Sequence, residues 1–290
     1  MSFNTLKDIL EVCEAKAVPF WEAVLLDDVR ERGVDREQVF AMMTGMYQAM
    51  KRADRDYEAD LRSASGLSGG DGAKLEQFAN SGNSLVGGFL TKVMEKAVKM
   101  GESNACMKPI VAAPTAGSCG VIPAVLLAYE EEKSTSEVRM VEALFVAAGI
   151  GSAIAAGASI SGAEGGCQAE IGSASAMAAG ALVYLEGGDN ERIVHGAALA
   201  LKNMLGLTCD PVAGLVEVPC IKRNVSGAVN AVAASQMAMA GIRSAIEPDE
   251  VIDSMRRIGN LLPTCLRETS KEGLAITPSA LKAARKLAEQ

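Results

Sequence analysis

The apolar positions of this chain recur at helical spacing along most of its length. Hydrophobic residues three and four positions apart predict amphipathic helices, whereas the alternation of apolar and polar residues that is typical of strands is scarce. The pattern therefore predicts an all-α fold. We expect helices at approximately 6–16, 35–63, 84–100, 120–132, 136–160, 170–186, 190–205, 226–246, 248–259 and 277–289.

Single residues mark several of the predicted helix boundaries. Asp35 and Asp189 are suitable N-caps, and Pro248 fits the start of a helix. The second predicted helix carries a stripe of apolar side chains that we expect to fill the core. The stripe comprises Val39, Met42, Met43, Met46 and Met50. No linker or internal repeat divides the sequence, so residues 1–290 are expected to form a single helical domain.

The composition refines this picture by limiting the size of the core side chains. Of the 290 residues, 49% are hydrophobic but only 4% are aromatic, and Ala and Gly are abundant. The core is therefore expected to contain small side chains between closely packed backbones. The net charge of −8 argues against nucleic acid or an anionic membrane as a partner.

Two segments and the cysteine content bear on the location of the protein. The N-terminal residues contain no uninterrupted apolar stretch, so we expect no signal peptide. Residues 143–163 carry no charge and are long enough to span a bilayer, but Ala, Gly and Ser dominate them, which favours a buried helix. The seven cysteines are an odd number, which fits a reducing compartment better than a set of disulfides. Together these features predict a cytoplasmic protein that does not enter a membrane.

Three segments that combine glycine with polar residues separate the predicted helices. They are residues 63–72, 103–120 and 209–220. Glycine allows a backbone to approach a ligand closely, and exposed N–H groups can bind a carboxylate. Each segment alone is compatible with an ordinary helix connection, but the three together with nearby cysteines indicate a ligand site.

Three cysteines lie in surroundings that a core cysteine does not require. Cys167 lies within residues 164–170, EGGCQAE, and Cys209 and Cys220 bound residues 209–220, CDPVAGLVEVPC. Three thiolates can hold three corners of a cubane iron–sulfur cluster and leave the fourth iron open as a Lewis acid. Spacing alone does not select these three, because Cys106, Cys119 and Cys265 could also be ligands.

Other catalytic motifs are missing from the sequence. The single histidine, His195, falls within a predicted helix and is expected to be a core residue, so neither a zinc triad nor a Cys–His pair is indicated. Residues 65–70, SGLSGG, lack the pattern of a nucleophile elbow. Phosphate-loop and dinucleotide fingerprints are also absent.

The quoted segments resemble the alpha subunit of bacterial iron–sulfur-dependent L-serine dehydratase, also called L-serine ammonia-lyase. The resemblance covers essentially the whole chain, and four segments carry it: 113–120, APTAGSCG; 164–170; 209–220; and 266–269, LRET, with 273–275, GLA. It implies a mostly helical catalytic domain, a [4Fe–4S] cluster and conversion of L-serine to pyruvate and ammonia without pyridoxal phosphate. The expected setting is amino-acid catabolism and gluconeogenesis in the cytoplasm.

The resemblance also implies roles for individual residues. Cys167, Cys209 and Cys220 correspond to the cluster ligands. The candidates for holding the substrate are Ser65, Gly66, Thr115, Gly117 and Ser118. In this scheme an open iron binds the serine carboxylate and hydroxyl, and an unassigned base removes the α-proton.

Two departures from the single-chain relatives shape the remaining expectations. The sequence lacks their additional domain, so a separate beta subunit is expected as partner, and it has no terminal cysteine that could cap the fourth iron, which argues against a self-inhibiting tail. Two other readings stay open. One is a cysteine desulfidase that uses a similar cluster, and the other is a non-catalytic iron–sulfur subunit.

Overall fold

The structure of the chain is a computed structural model, which describes residues 2–289. Within these residues there are no strands, and a single bridge joins Cys209 to Arg267. The all-α prediction is therefore confirmed. The α-helices are α1 (Leu6–Lys16), α2 (Phe20–Arg32), α3 (Arg36–Arg55), α4 (Asp71–Asn80), α5 (Gly87–Ala105), α6 (Val121–Lys133), α7 (Glu137–Gly157), α8 (Gly162–Gly165), α9 (Ser173–Leu185), α10 (Asn190–Lys202), α11 (Cys220–Met239), α12 (Pro248–Leu261) and α13 (Pro278–Ala288).

Helix α9 lies at the centre of the fold, and all of its residues are buried. It packs against α7, α10 and α11. A Cβ atom at Gly180 would lie 2.2 Å from Ile150 Cδ1, and a Cβ atom at Gly151 would lie 2.8 Å from Met177 Cε. These distances agree with the expected core of small side chains, because larger residues would force the helices apart.

Helix α7 contains most of the uncharged run. By length and composition it is the one helix within residues 2–289 that could cross a membrane, and 61% of its most apolar window is buried inside the protein. It packs against α2 and α9, as a core helix does. The predicted buried helix is therefore present, although it ends at Gly157 and residues 158–163 lie outside it.

The structure corrects the prediction for the first third of the chain. Helix α2 was not expected, because the buried Asp27 and Asp28, which pair with Arg30 and Arg32, interrupt its apolar pattern. Helix α3 ends at Arg55 rather than near residue 63. The chain turns after this helix and places the hydroxyl of Tyr57 2.6 Å from Glu102 on α5, a contact between distant residues that periodicity does not show.

Helices α4 and α11 also differ from the prediction. Helix α4 was not expected, and its first residues donate backbone hydrogen bonds to the Glu102 carboxylate of a different helix. Helix α11 begins at Cys220 directly after Pro219, and the chain leaves it near Gly241, which has a φ of 88°. The helix therefore lies about six residues earlier in the sequence than expected.

The predicted N-caps are present, whereas part of the predicted core stripe is not buried. The Asp35 side chain accepts a hydrogen bond from Gln38 N at 2.7 Å, and the Asp189 side chain accepts one from Arg192 N at 2.8 Å. Val39 and Met50 are buried as expected. The prediction is wrong for two members of the stripe, because they face solvent. These are Met42, 53% exposed, and Met46, 55% exposed.

Candidate cluster site and substrate loops

Each of the three candidate cysteines is positioned by its own local structure. Cys167 follows Gly166, whose φ of 76° favours glycine, and it precedes a single π-helical turn at Gln168–Gly172. Cys209 lies in an extended segment, where its N–H donates to Leu266 O at 2.9 Å. Cys220 is the first residue of α11. A π-helical turn is a frequent feature of functional sites.

The sulfurs of Cys167, Cys209 and Cys220, here called the thiol group, lie close enough to influence one another electrostatically. All three residues are buried. Burial raises the pKa of the Cys167 thiol to about 11, against the opposing charge of Arg223. Burial, followed by the charge of Cys167, raises the pKa of Cys220 to about 12. The pKa of Cys209 is raised by burial and then by the charges of Cys167, Glu170, Glu268 and Cys220.

The chemistry of the thiol group suits a cationic centre with soft ligands. Buried thiols that raise one another's pKa stay protonated unless a cation compensates their negative charge. Thiolates are the usual ligands of iron–sulfur clusters. Among residues 2–289, no three or more His, Cys, Asp or Glu side chains are placed to bind a single metal ion. The ligand roles of the three cysteines stay a prediction.

An ion pair between Arg223 and Asp210 holds the backbone beside the thiol group. Arg223 Nη2 donates to Asp210 Oδ1 at 2.8 Å and Nη1 donates to Thr208 O at 2.7 Å. The charge of the guanidinium also lowers the pKa of the Cys167 thiol, against the larger effect of burial. Asp210 Oδ2 in turn accepts from Leu274 N at 2.8 Å. The resembling segments 209–220 and 273–275 are thus joined by one carboxylate.

Glu170 is a site residue that the sequence analysis quoted within its motif but did not identify. Its Oε1 accepts a hydrogen bond from Thr115 Oγ1 at 2.7 Å. A Cβ atom at Gly162 would lie 2.8 Å from Glu170 Oε2, and 3.2 Å from both Cys209 Sγ and Glu268 Oε2. Burial, with a further contribution from Glu268 and against the hydrogen bond from Thr115, raises the pKa of Glu170. The lack of a side chain at Gly162 therefore allows two carboxylates and the Cys209 sulfur to approach the backbone closely.

The loop of residues 113–120, the Thr115 loop, is fixed to the first turn of α11. Asn224 is buried, and its Nδ2 donates to Gly117 O at 2.8 Å and to Cys220 O at 2.9 Å. Its Oδ1 accepts from Gly120 N at 2.8 Å. Two predicted substrate residues, Thr115 and Gly117, adjoin Glu170. The third, Ser118, is fully buried with its hydroxyl 3.2 Å from Thr115 Oγ1, which suits it to orient the threonine.

The loop of residues 63–72, the Ser65 loop, is attached to residues 209–220, the cysteine loop. The hydroxyls of Ser63 and Ser65 donate to Glu217 Oε2 at 2.7 and 2.8 Å. Gly66 has a φ of 73°, and no heavy atom lies within 4 Å of the position of a Cβ. The predicted substrate residues Ser65 and Gly66 are therefore held beside the cysteine loop, through a glutamate that the sequence analysis did not single out.

Cys119, Cys13 and His195 lie in other surroundings. Cys119 is buried, with its thiol 3.8 Å from Met100 O, and burial is the main cause that raises its pKa to about 12. Cys13 is buried in the core on α1. His195 is buried in α10, where its Nδ1 accepts from Ser244 N at 3.2 Å, and burial lowers its pKa. The histidine thus has the environment of a core residue.

Comparisons with known proteins agree with the resemblance. Residues 9–275 match the family model described as serine dehydratase alpha chain. The probable L-serine dehydratase alpha chain of Bacillus subtilis is 45% identical over 285 residues, which cover 98% of this chain and 95% of that protein. The L-serine dehydratase alpha chain of Peptoniphilus asaccharolyticus is 39% identical over 283 residues, 97% of each chain. L-serine dehydratase TdcG of Escherichia coli is 46% identical over 182 residues, which cover 62% of this chain and 40% of that protein. The chain therefore belongs to the serine dehydratase alpha chain family.

Proposed function

We propose that this chain is the catalytic alpha chain of an enzyme that deaminates L-serine to pyruvate and ammonia by β-elimination. The observation that carries the proposal is the grouping of three buried thiols beside Glu170 and the Thr115 loop. Membership of the serine dehydratase alpha chain family supports the choice of substrate. The proposed setting is the cytoplasm.

The proposed cofactor is a [4Fe–4S] cluster with Cys167, Cys209 and Cys220 as ligands. The donor set fits this group, because three buried thiols lie near the half-buried guanidinium of Arg223, whose charge can offset part of their negative charge. When bound, the cluster would supply a Lewis-acidic iron for the leaving hydroxyl of serine. Sulfur ligands from three distant segments would also tie α11, the π-helical turn and residues 266–268 together.

The residues of the chain itself would bind and orient the substrate. Thr115 is held between Ser118 and Glu170, so its side chain has a defined orientation at the edge of the thiol group. A Cβ atom at Gly117 would lie 3.0 Å from Glu170 Oε1. Because glycine has no side chain, the Glu170 carboxylate can occupy its position beside the Thr115 loop. The base that removes the α-proton of serine is not assigned to a residue of this chain.

The proposed partner is a separate beta subunit. The L-serine dehydratases of Helicobacter pylori and Escherichia coli contain much additional sequence, since this chain covers 62% and 40% of their lengths. We expect a second chain to supply the corresponding part, including groups that complete the active site. The alpha chain should nevertheless acquire the cluster alone, because all three proposed ligands belong to it.

The test is anaerobic reconstitution of the purified chain with ferrous iron and sulfide, followed by measurement of pyruvate from L-serine with and without the beta subunit. We expect iron uptake by the chain alone and full pyruvate formation only in the complex. Full activity of the chain alone would contradict the two-subunit proposal. If the complex forms no pyruvate from L-serine but releases sulfide from L-cysteine, cysteine desulfidation becomes the supported function instead of serine deamination.

A further inference from the structure

Glu217 is a buried carboxylate with an unusual set of partners. Its residue is 5% exposed, and its Oε2 accepts two hydrogen bonds from Ser63 and Ser65. Among residues 2–289 it forms no ion pair with a lysine, arginine or histidine. A buried carboxylate that is paired only with hydroxyls is costly to keep in a fold. These two hydrogen bonds join the Ser65 loop to the cysteine loop through Glu217.

The main chain couples the position of Glu217 to that of Cys220. Glu217 O accepts a hydrogen bond from Ile221 N at 3.0 Å. Cys220 therefore lies within the turn that this bond closes. Val212 N donates to Val218 O at 2.8 Å and closes the cysteine loop around the same point. A displacement of Cys220 must therefore also move Glu217.

The other end of the Ser65 loop is held in a different way. Glu102 is 1% exposed and accepts hydrogen bonds from the backbone N–H groups of Gly69, Asp71 and Gly72 at 2.9 to 3.2 Å. Because Glu102 belongs to α5, this attachment does not use Glu217, although Asp71 Oδ2 also accepts a hydrogen bond from Lys222 of α11 at 2.7 Å. The Ser63 end of the Ser65 loop thus depends on Glu217, whereas its Asp71 end depends on Glu102 and Lys222.

We infer that Glu217 is a positioning residue that transmits the ordering of the cysteine loop to Ser63 and Ser65 in the Ser65 loop. The inference rests on the proposed function, because filling the thiol group is what would order the cysteine loop. The chain would then present Ser65 and Gly66 in a fixed geometry only when Cys209 and Cys220 are both held. Substrate binding would in this way depend on the loaded state of the site.

Hydrogen–deuterium exchange of the intact chain, read by mass spectrometry before and after anaerobic reconstitution, tests this coupling. In the wild type, reconstitution should slow exchange in residues 209–220 and in residues 63–68. In Glu217→Ala it should slow exchange in residues 209–220 only. Residues 63–68 should exchange at least about tenfold faster than in the wild type before reconstitution as well, because hydrogen bonds to Glu217 are lost. Residues 69–72 should exchange as in the wild type, because Glu102 still accepts hydrogen bonds from their N–H groups.

Three further variants make the experiment decisive. Glu217→Gln keeps an acceptor oxygen and should restore part of the coupled protection, whereas Glu14→Gln on the exposed surface of α1 should behave as the wild type. The double variant Ser63→Ala with Ser65→Ala breaks the same contact from the opposite side and leaves the cysteine loop unaltered, so it replaces Glu217→Ala if that variant does not fold.

Two outcomes overturn the inference in distinguishable ways. In the first outcome the wild type takes up iron, and reconstitution protects residues 63–68 in Glu217→Ala and in the double serine variant as strongly as in the wild type. The coupling then does not run through Glu217, and the proposed function stands. If the wild type takes up no iron, the cluster proposal fails and the coupling fails with it.

Discussion

Replacement of Gly120 by alanine should damage the site through the backbone that supports it. A Cβ atom at Gly120 would lie 2.6 Å from Ala97 O of α5, where an ordinary contact begins at 3.4 Å, and 3.1 Å from Asn224 Oδ1. The carbonyl is part of a buried helix backbone and cannot rotate away as a side chain could. Either α5 and the start of α6 separate or Asn224 moves.

The expected cost follows from these two contacts. Forcing an additional methyl group into a packed interior typically destabilises a protein by about 1–3 kcal/mol. Displacement of Asn224 would also weaken its hydrogen bonds to Gly117 O and Cys220 O, each worth about 1 kcal/mol. We therefore expect Gly120→Ala to lower the free energy of unfolding by about 2–4 kcal/mol and to reduce iron uptake during reconstitution.

Urea denaturation of the iron-free chain, with iron content after reconstitution, measures both effects. Gly45→Ala is the matched control, because Gly45 lies in the interior of α3 and no heavy atom lies within 4 Å of its Cβ position. This control should be stabilised by up to about 1 kcal/mol through helix propensity. An unchanged urea midpoint and unchanged iron uptake in Gly120→Ala would show that Gly120 does not support the site.

Three further predictions address the ligands, the air sensitivity and a buried ion pair. Cys209→Ser should fold, as judged by circular dichroism, but should lose most of its bound iron; wild-type iron content would exclude Cys209 as a ligand. Activity should disappear in air and return with ferrous iron and reductant, whereas full activity after prolonged air exposure with a chelator would exclude an open iron. Lys96→Met should cost about 1–2 kcal/mol at neutral pH, because the buried Lys96 binds Asp54 at 2.7 Å and Glu131 at 2.8 Å and both carboxylates keep access to solvent. Burial opposes it, but Lys96 lowers the pKa of Glu131. The stabilisation by this pair is therefore present above about pH 4 and is lost as the pH falls further. The urea midpoints of the wild type and Lys96→Met should converge in acid, and a difference that is constant with pH would contradict the role given to the pair.

The sequence was sufficient for the features that depend on local pattern. Helical periodicity identified α1, α7, α10 and α12 closely, and the side chains of Asp35 and Asp189 identified two helix starts. The abundance of Ala and Gly correctly indicated a core in which helices approach closely. These features follow from interactions between residues a few positions apart or from composition, which a single sequence displays directly.

The missed features depend on contacts between residues that are distant in the sequence. Glu102 and Glu217 are ordinary glutamates in the sequence, and their importance arises only when the fold brings the Ser65 loop against them. Asn224 has no local signal, although it joins the Thr115 loop to Cys220. Glu170 was quoted within a motif, but its role beside Thr115 and Gly162 depends on the π-helical turn that follows Cys167.

The central claim is that three cysteines hold a cluster with one iron open to the substrate. Mössbauer spectroscopy of the chain reconstituted with iron-57, combined with the proposed beta subunit and recorded with and without L-serine, is the direct test. We expect a cubane cluster in which the signal of one iron site changes on addition of L-serine while the others stay constant. A spectrum that L-serine leaves unchanged, or the same cluster in a variant with Cys167, Cys209 and Cys220 all replaced by serine, would contradict it.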